Sequence, residues 1–219
     1  MKKIITLVAF VLTTIAFAQQ NISEGVLTTK ITPSSDNEQM NAQLAMMGDM
    51  VSTTYLKNDK TRTEMNSPMQ GDVVTIIDAS KKKMLMLMDN PMMGKKYMTK
   101  DIDNSKEDLK DVTVEKTSET KKFLGYDCVK YKVITKKNGA EVTMDVYATN
   151  KLKAVSDQTV VLGGKIEGCP LYMEMHMSQM GVNMDIKYEA TSVKAEKVDD
   201  AKFDMTVPEG YSVAEMPGK

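Results

Sequence analysis

Two short segments alternate methionine with other residues at a strict period of two. In KMLMLMD, Met84, Met86 and Met88 are separated by Leu85 and Leu87; in YMEMHMS, Met173, Met175 and Met177 are separated by Glu174 and His176. A period of two marks an extended strand, whose side chains point alternately to the two faces of a sheet; a helix repeats every 3.6 residues. Each methionine trio therefore shares one face. In the first segment both faces are apolar, so that strand is expected to be covered on both sides. In the second, Tyr172, Glu174, His176 and Ser178 occupy the face opposite the methionines.

This parity bears on metal chemistry. The run PLYMEMHMSQM wraps the only histidine in thioethers, and soft thioether sulfur selects Cu(I). Ligands must converge on one ion, whereas a strand sends His176 and its neighbouring methionines to opposite sides. Three methionines at i, i+2 and i+4 also span about 13 Å along one strand. A copper-handling protein using methionine thioethers is thus the alternative reading, no metal ligand is assigned, and His176 reads as an exposed or hydrogen-bonded surface residue.

Most of the remaining chain also reads as strands. NISEGVLTTKIT (Asn21–Thr32) is a first strand that Pro33 ends. VSTTYLKNDKTRTEM turns at Asn58-Asp59, DVVTIIDASKKKMLMLMD turns near Ala79–Lys82, and KKYMTKDI follows the turn at Asn90-Pro91 and Gly94. Residues 103–111 are charged and aperiodic enough for a linker or one helical turn. Asn138-Gly139 is a strong hairpin signal. KAVSDQTVVL, LYMEMHMSQM and VNMDIKYEATSVKAEKV read as further strands, and KFDMTVPEGYSVAEM as an extended end. About ten or eleven strands with closely spaced turns indicate a mainly β (α+β) fold: a strongly curved antiparallel sheet or half-barrel. One helix is clear. Ser35 and Glu38 match a capping box, Met40, Leu44 and Met47 follow at helical spacing, and Gly48 closes the segment. Its apolar face suits a lid over the concave side of the sheet.

The N-terminus sets the compartment. Lys2 and Lys3 precede the apolar run IITLVAFVLTTIAF and the small-x-small site Ala16-Phe17-Ala18, the pattern of a bacterial-type signal peptide cleaved after Ala18. Residues 19–219 are then expected as one exported, periplasmic domain. No cysteine stands at the cleavage site for lipid attachment, and no later apolar run is long enough for a membrane span. Charge is nearly balanced at 29 basic and 30 acidic residues without a basic block, which argues against nucleic acid as a partner. In an oxidising compartment Cys128 and Cys169 are expected to form a disulfide, worth roughly 4 kcal/mol for a loop of about 40 residues. Strand parity puts Cys128 with Lys130 and Lys132, toward an outer face or rim; two unpaired thiols are the alternative.

The chain has 21 methionines against 4 phenylalanines, 8 tyrosines and no tryptophan. Flexible thioethers fill irregular space and adapt to varied guests, but they specify one tight packing poorly. Met40, Leu44, Met47, Met84, Met86, Met88, Met173, Met175 and Met177 are therefore the candidate ligand-contacting residues of an apolar interior. A methionine-filled core without a ligand, as in a structural or interaction domain, is the competing reading. No HExxH, G-x-S-x-G, P-loop or GxGxxG pattern occurs, so no catalytic residue and no cofactor are assigned and a non-catalytic binding protein is expected.

Several motifs occur in a familiar order. YLKNDKTRTEM, TIIDASKKKMLML and KKYM are followed by FLGYDCVKYKV, VYATNKL and FDMTVPEGY. This order resembles the exported family called domain of unknown function 4412, which is similar in turn to the LolA/LppX-like periplasmic lipoprotein carriers. The resemblance implies a half-open sheet that wraps helices and holds acyl chains, and it brings no catalytic residues. Arg62 is the basic residue to watch in the first motif, with a surface ion pair as its plain role.

Overall fold

A computed structural model describes residues 21–214 except 47–49, 68–70, 103–108, 138–139, 155–156, 161 and 180. The fold is mainly β. Its strands are β1 (Glu24–Ser35), β2 (Met50–Lys57), β3 (Lys60–Ser67), β4 (Gly71–Asp78), β5 (Lys83–Asn90), β6 (Gly94–Asp101), β7 (Val112–Phe123), β8 (Tyr126–Lys137), β9 (Ala140–Thr149), β10 (Cys169–Gln179), β11 (Val182–Ala195) and β12 (Ser212–Val213). The helices are α1 (Glu38–Met46) and the single turn α2 (Asp157–Val160); a 3₁₀ turn covers Asp200–Phe203.

All strands join one open 12-stranded sheet in the order β12-β6-β5-β4-β3-β2-β1-β11-β10-β9-β8-β7. Two antiparallel meanders, β1–β6 and β7–β11, meet where β11 pairs with β1 from Gly25↔Ala195 to Ser35↔Met184. The close approach there requires glycine at one point: a Cβ on Gly25 would lie 2.2 Å from the Lys194 carbonyl oxygen. β12 returns to the far edge and pairs with β6 in parallel.

Several local expectations are corrected. Pro33 does not end β1. It lies inside the strand, opposite Ile186 of β11, beyond the point where pairing with β2 stops at Ile31↔Met50. No ladder partner is lost on that side, so proline is tolerated. Asn37, not Ser35, caps α1: its Oδ1 accepts from the Met40 N–H at 2.9 Å. Ser35 instead donates to the Asn183 carbonyl at 2.8 Å, while Asp36 accepts from the Asn183 backbone and side chain. KAVSDQTVVL is not a strand. After β9 the chain bridges back to Ile22, through Ile22 N–H to Lys151 O and Lys153 N–H to Ile22 O, then forms α2 and a turn at 162–164. The Asn138-Gly139 turn and part of the 103–111 linker lie outside the described residues, although β8 and β9 pair as expected up to Lys137↔Ala140.

The carboxyl-terminal segment covers one face of the first meander. Ile76, Leu85 and Leu87 are buried with Val74 and Tyr97 beneath Met205, Val207 and Tyr211. Charged pairs fasten the start of this segment. Lys57 bridges Glu24 and Asp200, and Lys202 lies 4.1 Å above the Tyr55 ring and 3.1 Å from Glu64. Arg62 takes the ion-pair role: its Nε is 2.6 Å from Glu64 Oε1 and a terminal nitrogen donates to the Lys202 carbonyl. Burial would raise Glu64, but hydrogen bonds from Arg62 and Lys202 outweigh it and hold the carboxyl below its ordinary value.

The expected disulfide is absent. Cys128 and Cys169 are free, buried thiols. Strand β9 separates them, with Thr149 paired to Cys169 and, one step beyond Ala148↔Val129, level with Cys128. Two strand spacings are about 9.6 Å, more than the roughly 7 Å a disulfide spans between Cα atoms. Gly168 sets this arrangement at φ +91, where a Cβ would lie 2.2 Å from the Thr149 carbonyl oxygen. Burial pushes the Cys128 thiol up to about 11 and the Cys169 thiol up to about 12. A stacked Phe123–Tyr172 pair and Tyr147 pack into the same cluster.

Three outcomes are expected. Leu85→Ala, at a fully buried position, costs about 2–5 kcal/mol in urea denaturation, while Met86→Ala, half-buried on the other face, costs clearly less. Glu64→Gln is less stable than the parent at neutral pH. Because the folded carboxyl is held low, its contribution exists above the unfolded value and is lost as pH falls through the folded one; thermal melts of the two proteins should converge once the pH has fallen below the folded value. Alkylation without reductant leaves both cysteines unmodified in the folded protein and labels both after denaturation, as read by intact mass.

Candidate functional site

The sheet has one face on which methionine recurs between β6 and β9, and the ladder registers define it. Starting in the first meander, Met88 pairs with Val73, Val73 with Met65, Met65 with Ser52, and Ser52 with Thr29 of β1. Two residues further along β1, on the same face, Ile31 pairs with Tyr188, and Tyr188 with Met173. Strand parity carries Met84 and Met86 with Met88, and Met175 and Met177 with Met173. Both trios therefore occupy a single face of a single sheet. They are staggered: the first aligns with the amino-terminal half of β1 and the second with its carboxyl-terminal half.

Residues that the individual segments did not flag join them. Met98 stands opposite Met86, Met144 opposite Met175, Met184 opposite Met177 and Met50 opposite Ile31, while Met65 lies in the Met88 row. Isolated methionines such as Met65 and Met144 carry no periodic signal of their own. Only the register between strands assigns them to this face. Between the two methionine wings the face is hydroxylic, with Ser52, Thr54, Thr61, Thr63 and Thr75; Thr54 and Thr63 hydrogen-bond at 3.0 Å.

Burial falls along each trio. Met84 is 8% exposed and Met173 2%, whereas Met86, Met88, Met175 and Met177 are half-buried. The segment after β9 explains the buried ends. Val160 of α2 packs with Ile77, Met84 and Ile102, while Leu162 and Ile166 pack with Tyr131, Val146 and Met173. Beside this plug is a pocket of about 290 Å³ lined by Ala79, Lys82, Ile102, Ala154, Thr159, Val160, Gly164, Ile166 and Gly168. None of the candidate methionines lines it. The expectation that β5 is covered on both sides holds fully for the Leu85 face and only at Met84 for the other, because the carboxyl-terminal segment crosses one face and α2 reaches one end of the second.

Helix α1 packs along β1, and none of its residues is fully buried. Met40 and Leu44 are half-buried; Met47 lies outside the described residues. The helix starts three residues past Ser35 of the row Met177–Met184–Ser35, at the less buried end of the second trio. His176 is on the opposite face, with Nδ1 2.7 Å from Asp185, so it stands apart from the methionines as expected. Among the described residues no three His, Cys, Asp or Glu side chains are grouped to hold a metal ion, and no helix is long and apolar enough to cross a membrane.

Comparison with known proteins follows the same lines. No curated protein matches the chain. Two solved chains, both PNGF-II, in C2 and P21 space groups, superpose with a TM-score of 0.49 at 20% identity over 88% of this chain. This chain spans only 31% and 32% of theirs. Residues 37–211, from the cap of α1 to the segment before β12, match the family described as "Domain of unknown function (DUF4412)". The chain belongs to that family.

Proposed function

We propose that this protein is a non-catalytic carrier or sensor that holds a hydrophobic, lipid-like ligand against its methionine face, in the exported compartment its N-terminus predicts. The observation that carries this reading is the exposure of that face. Met86, Met88, Met175 and Met177 are half-buried rather than sealed in a core, although their face is continuous across the sheet. Soluble proteins rarely leave a broad apolar surface uncovered without a use for it, and methionine is the side chain best able to follow an irregular guest.

The reading includes a sheet curled with this face inward, as in the LolA/LppX-like carriers. Support comes from the plug. In strand order β4 is five steps from β10, about 24 Å if the sheet were flat. Val160 nevertheless packs in the Ile77–Met84 cluster and Leu162 in the cluster containing Met173, with a span of about 7 Å of chain between them. A trough closed by residues 152–168 at one end and flanked by α1 at the other would leave an entrance near Met177 and Met184, where Met40 and Leu44 could act as a flap. Thr54 and Thr63, the half-buried members of the hydroxyl band, offer polar partners for a head group.

The energetics are adequate. A 14-carbon chain at about 0.8 kcal/mol per buried methylene gives around 11 kcal/mol before association costs, enough for micromolar binding. Titration with a 14-carbon fatty acid and with phospholipid, followed by native mass spectrometry, should show saturable binding near one equivalent. A Met86→Glu/Met175→Glu variant, altered at half-buried sites, should keep its fold by circular dichroism and weaken binding at least tenfold. Absence of saturable binding by the parent protein would defeat the proposal.

A further inference from the structure

Pairing between strands supplies what a single strand lacks for holding a soft metal ion. Three methionines along β10 are too spread out to share an ion, but the ladder adds Met144 directly opposite Met175 and Met184 directly opposite Met177. Directly opposed side chains have Cβ atoms about 4.5–5.5 Å apart, and diagonal neighbours about 7–8 Å. Met175, Met177 and Met184 thus form a compact triangle on one face. Each long, unbranched side chain can swing its sulfur toward the centre, where three sulfurs about 2.3 Å from an ion, a usual metal–sulfur distance, would stand about 4 Å apart.

We propose that Met175, Met177 and Met184, backed by Met144, form a Cu(I)-binding site. The donor set selects the ion. Thioethers are soft and uncharged, and the nearby residues of the same face include Val142, Ile186, Pro33 and Ser35, which offer no anionic oxygen, imidazole or thiolate; the Ser35 hydroxyl is engaged by the Asn183 carbonyl and the Asn37 N–H. His176 and Asp185 pair with each other on the opposite face. A monovalent cation held by neutral sulfur in apolar surroundings loses less hydration than a divalent one. Access is also present: Met175, Met177 and Met184 are half-buried, while Met144, at 8% exposure, closes the site from beneath.

This site requires sulfur at Met175 and Met177, so leucine at these positions tests the metal directly, while lipid titration of the parent protein tests the carrier reading separately. Leucine replaces methionine at nearly constant volume. Anaerobic Cu(I) titration against a chromogenic chelator should show that the parent chain holds one equivalent whose affinity falls at least tenfold in Met177→Leu and is lost in Met175→Leu/Met177→Leu. X-ray absorption of the loaded protein should show a first shell of sulfur alone. Circular dichroism checks the double variant, and if it fails to fold the single variant decides. The proposal is overturned if the parent protein does not compete for Cu(I), if nitrogen or oxygen occupies the first shell, or if the leucine variants bind as well as the parent. The last result would place the ion elsewhere in the chain. Copper binding without lipid binding would sustain this site and overturn only the carrier reading.

Discussion

Everything in this fold depends on the ladder between β1 and β11. Each meander is built from neighbouring segments of chain and closes locally, with the longer connection carrying α2 between β9 and β10, but neither alone has a broad sheet. The β1–β11 pairing, between residues as far apart in sequence as Gly25 and Ala195, joins them into one surface. It also fixes their relative register, and through register it decides which side chains share a face. A slip by one residue would turn every methionine of the second meander to the other side. The close contact at Gly25 and the Asp36–Asn183 and Ser35–Asn183 hydrogen bonds hold that register at the two ends of the ladder.

The two faces of the joined sheet receive different treatment. On one, the carboxyl-terminal segment is fastened by Lys57, Arg62, Glu64 and Lys202 and buries Ile76, Leu85 and Leu87. Defined aliphatic rotamers suit that closed packing. The methionine face has only the short plug after β9, so its cover is partial and its side chains are the pliable kind. On the methionine face Leu56, Ile77 and Val146 are fully buried with Met84, Met144 and Met173, while Met86, Met88, Met175 and Met177 stay half-buried beyond the plug. That partial cover is the physical basis for expecting a guest, whether an acyl chain along the trough or a soft cation among the sulfurs of Met175, Met177 and Met184.

The cysteines and the histidine show the limits of residue identity as evidence. Two cysteines in a chain expected to be exported suggest a bridge, yet their strands flank β9 and leave them too far apart. A histidine among methionines suggests a copper site, yet parity turns it outward to Asp185. In both cases composition raises a chemistry that geometry then redirects. The thiols become inert core groups, and the thioethers find partners across strands rather than along one.

The sequence by itself determined what depends on neighbours in the chain. The period-two alternation around Met86 and Met175, the turns at Asn58-Asp59 and Ala79–Lys82, and the apolar start of the chain are local signals, and strand conformation and hairpin closure are local consequences. It misled where a local pattern is degenerate. KAVSDQTVVL has strand-like residues but becomes the plug, because the bridge from Ile22 to Lys151 and Lys153 draws the chain away from the sheet edge. Pro33 looks like a terminator and is tolerated because β2 has already ended. Only the tertiary structure decided that the two methionine trios lie on one face, that Met50, Met65, Met98, Met144 and Met184 join them, and that Cys128 and Cys169 stay apart. Those relations are set by strand order and register, which arise from pairing between strands, most distantly between Gly25 and Ala195, and leave no period in the sequence.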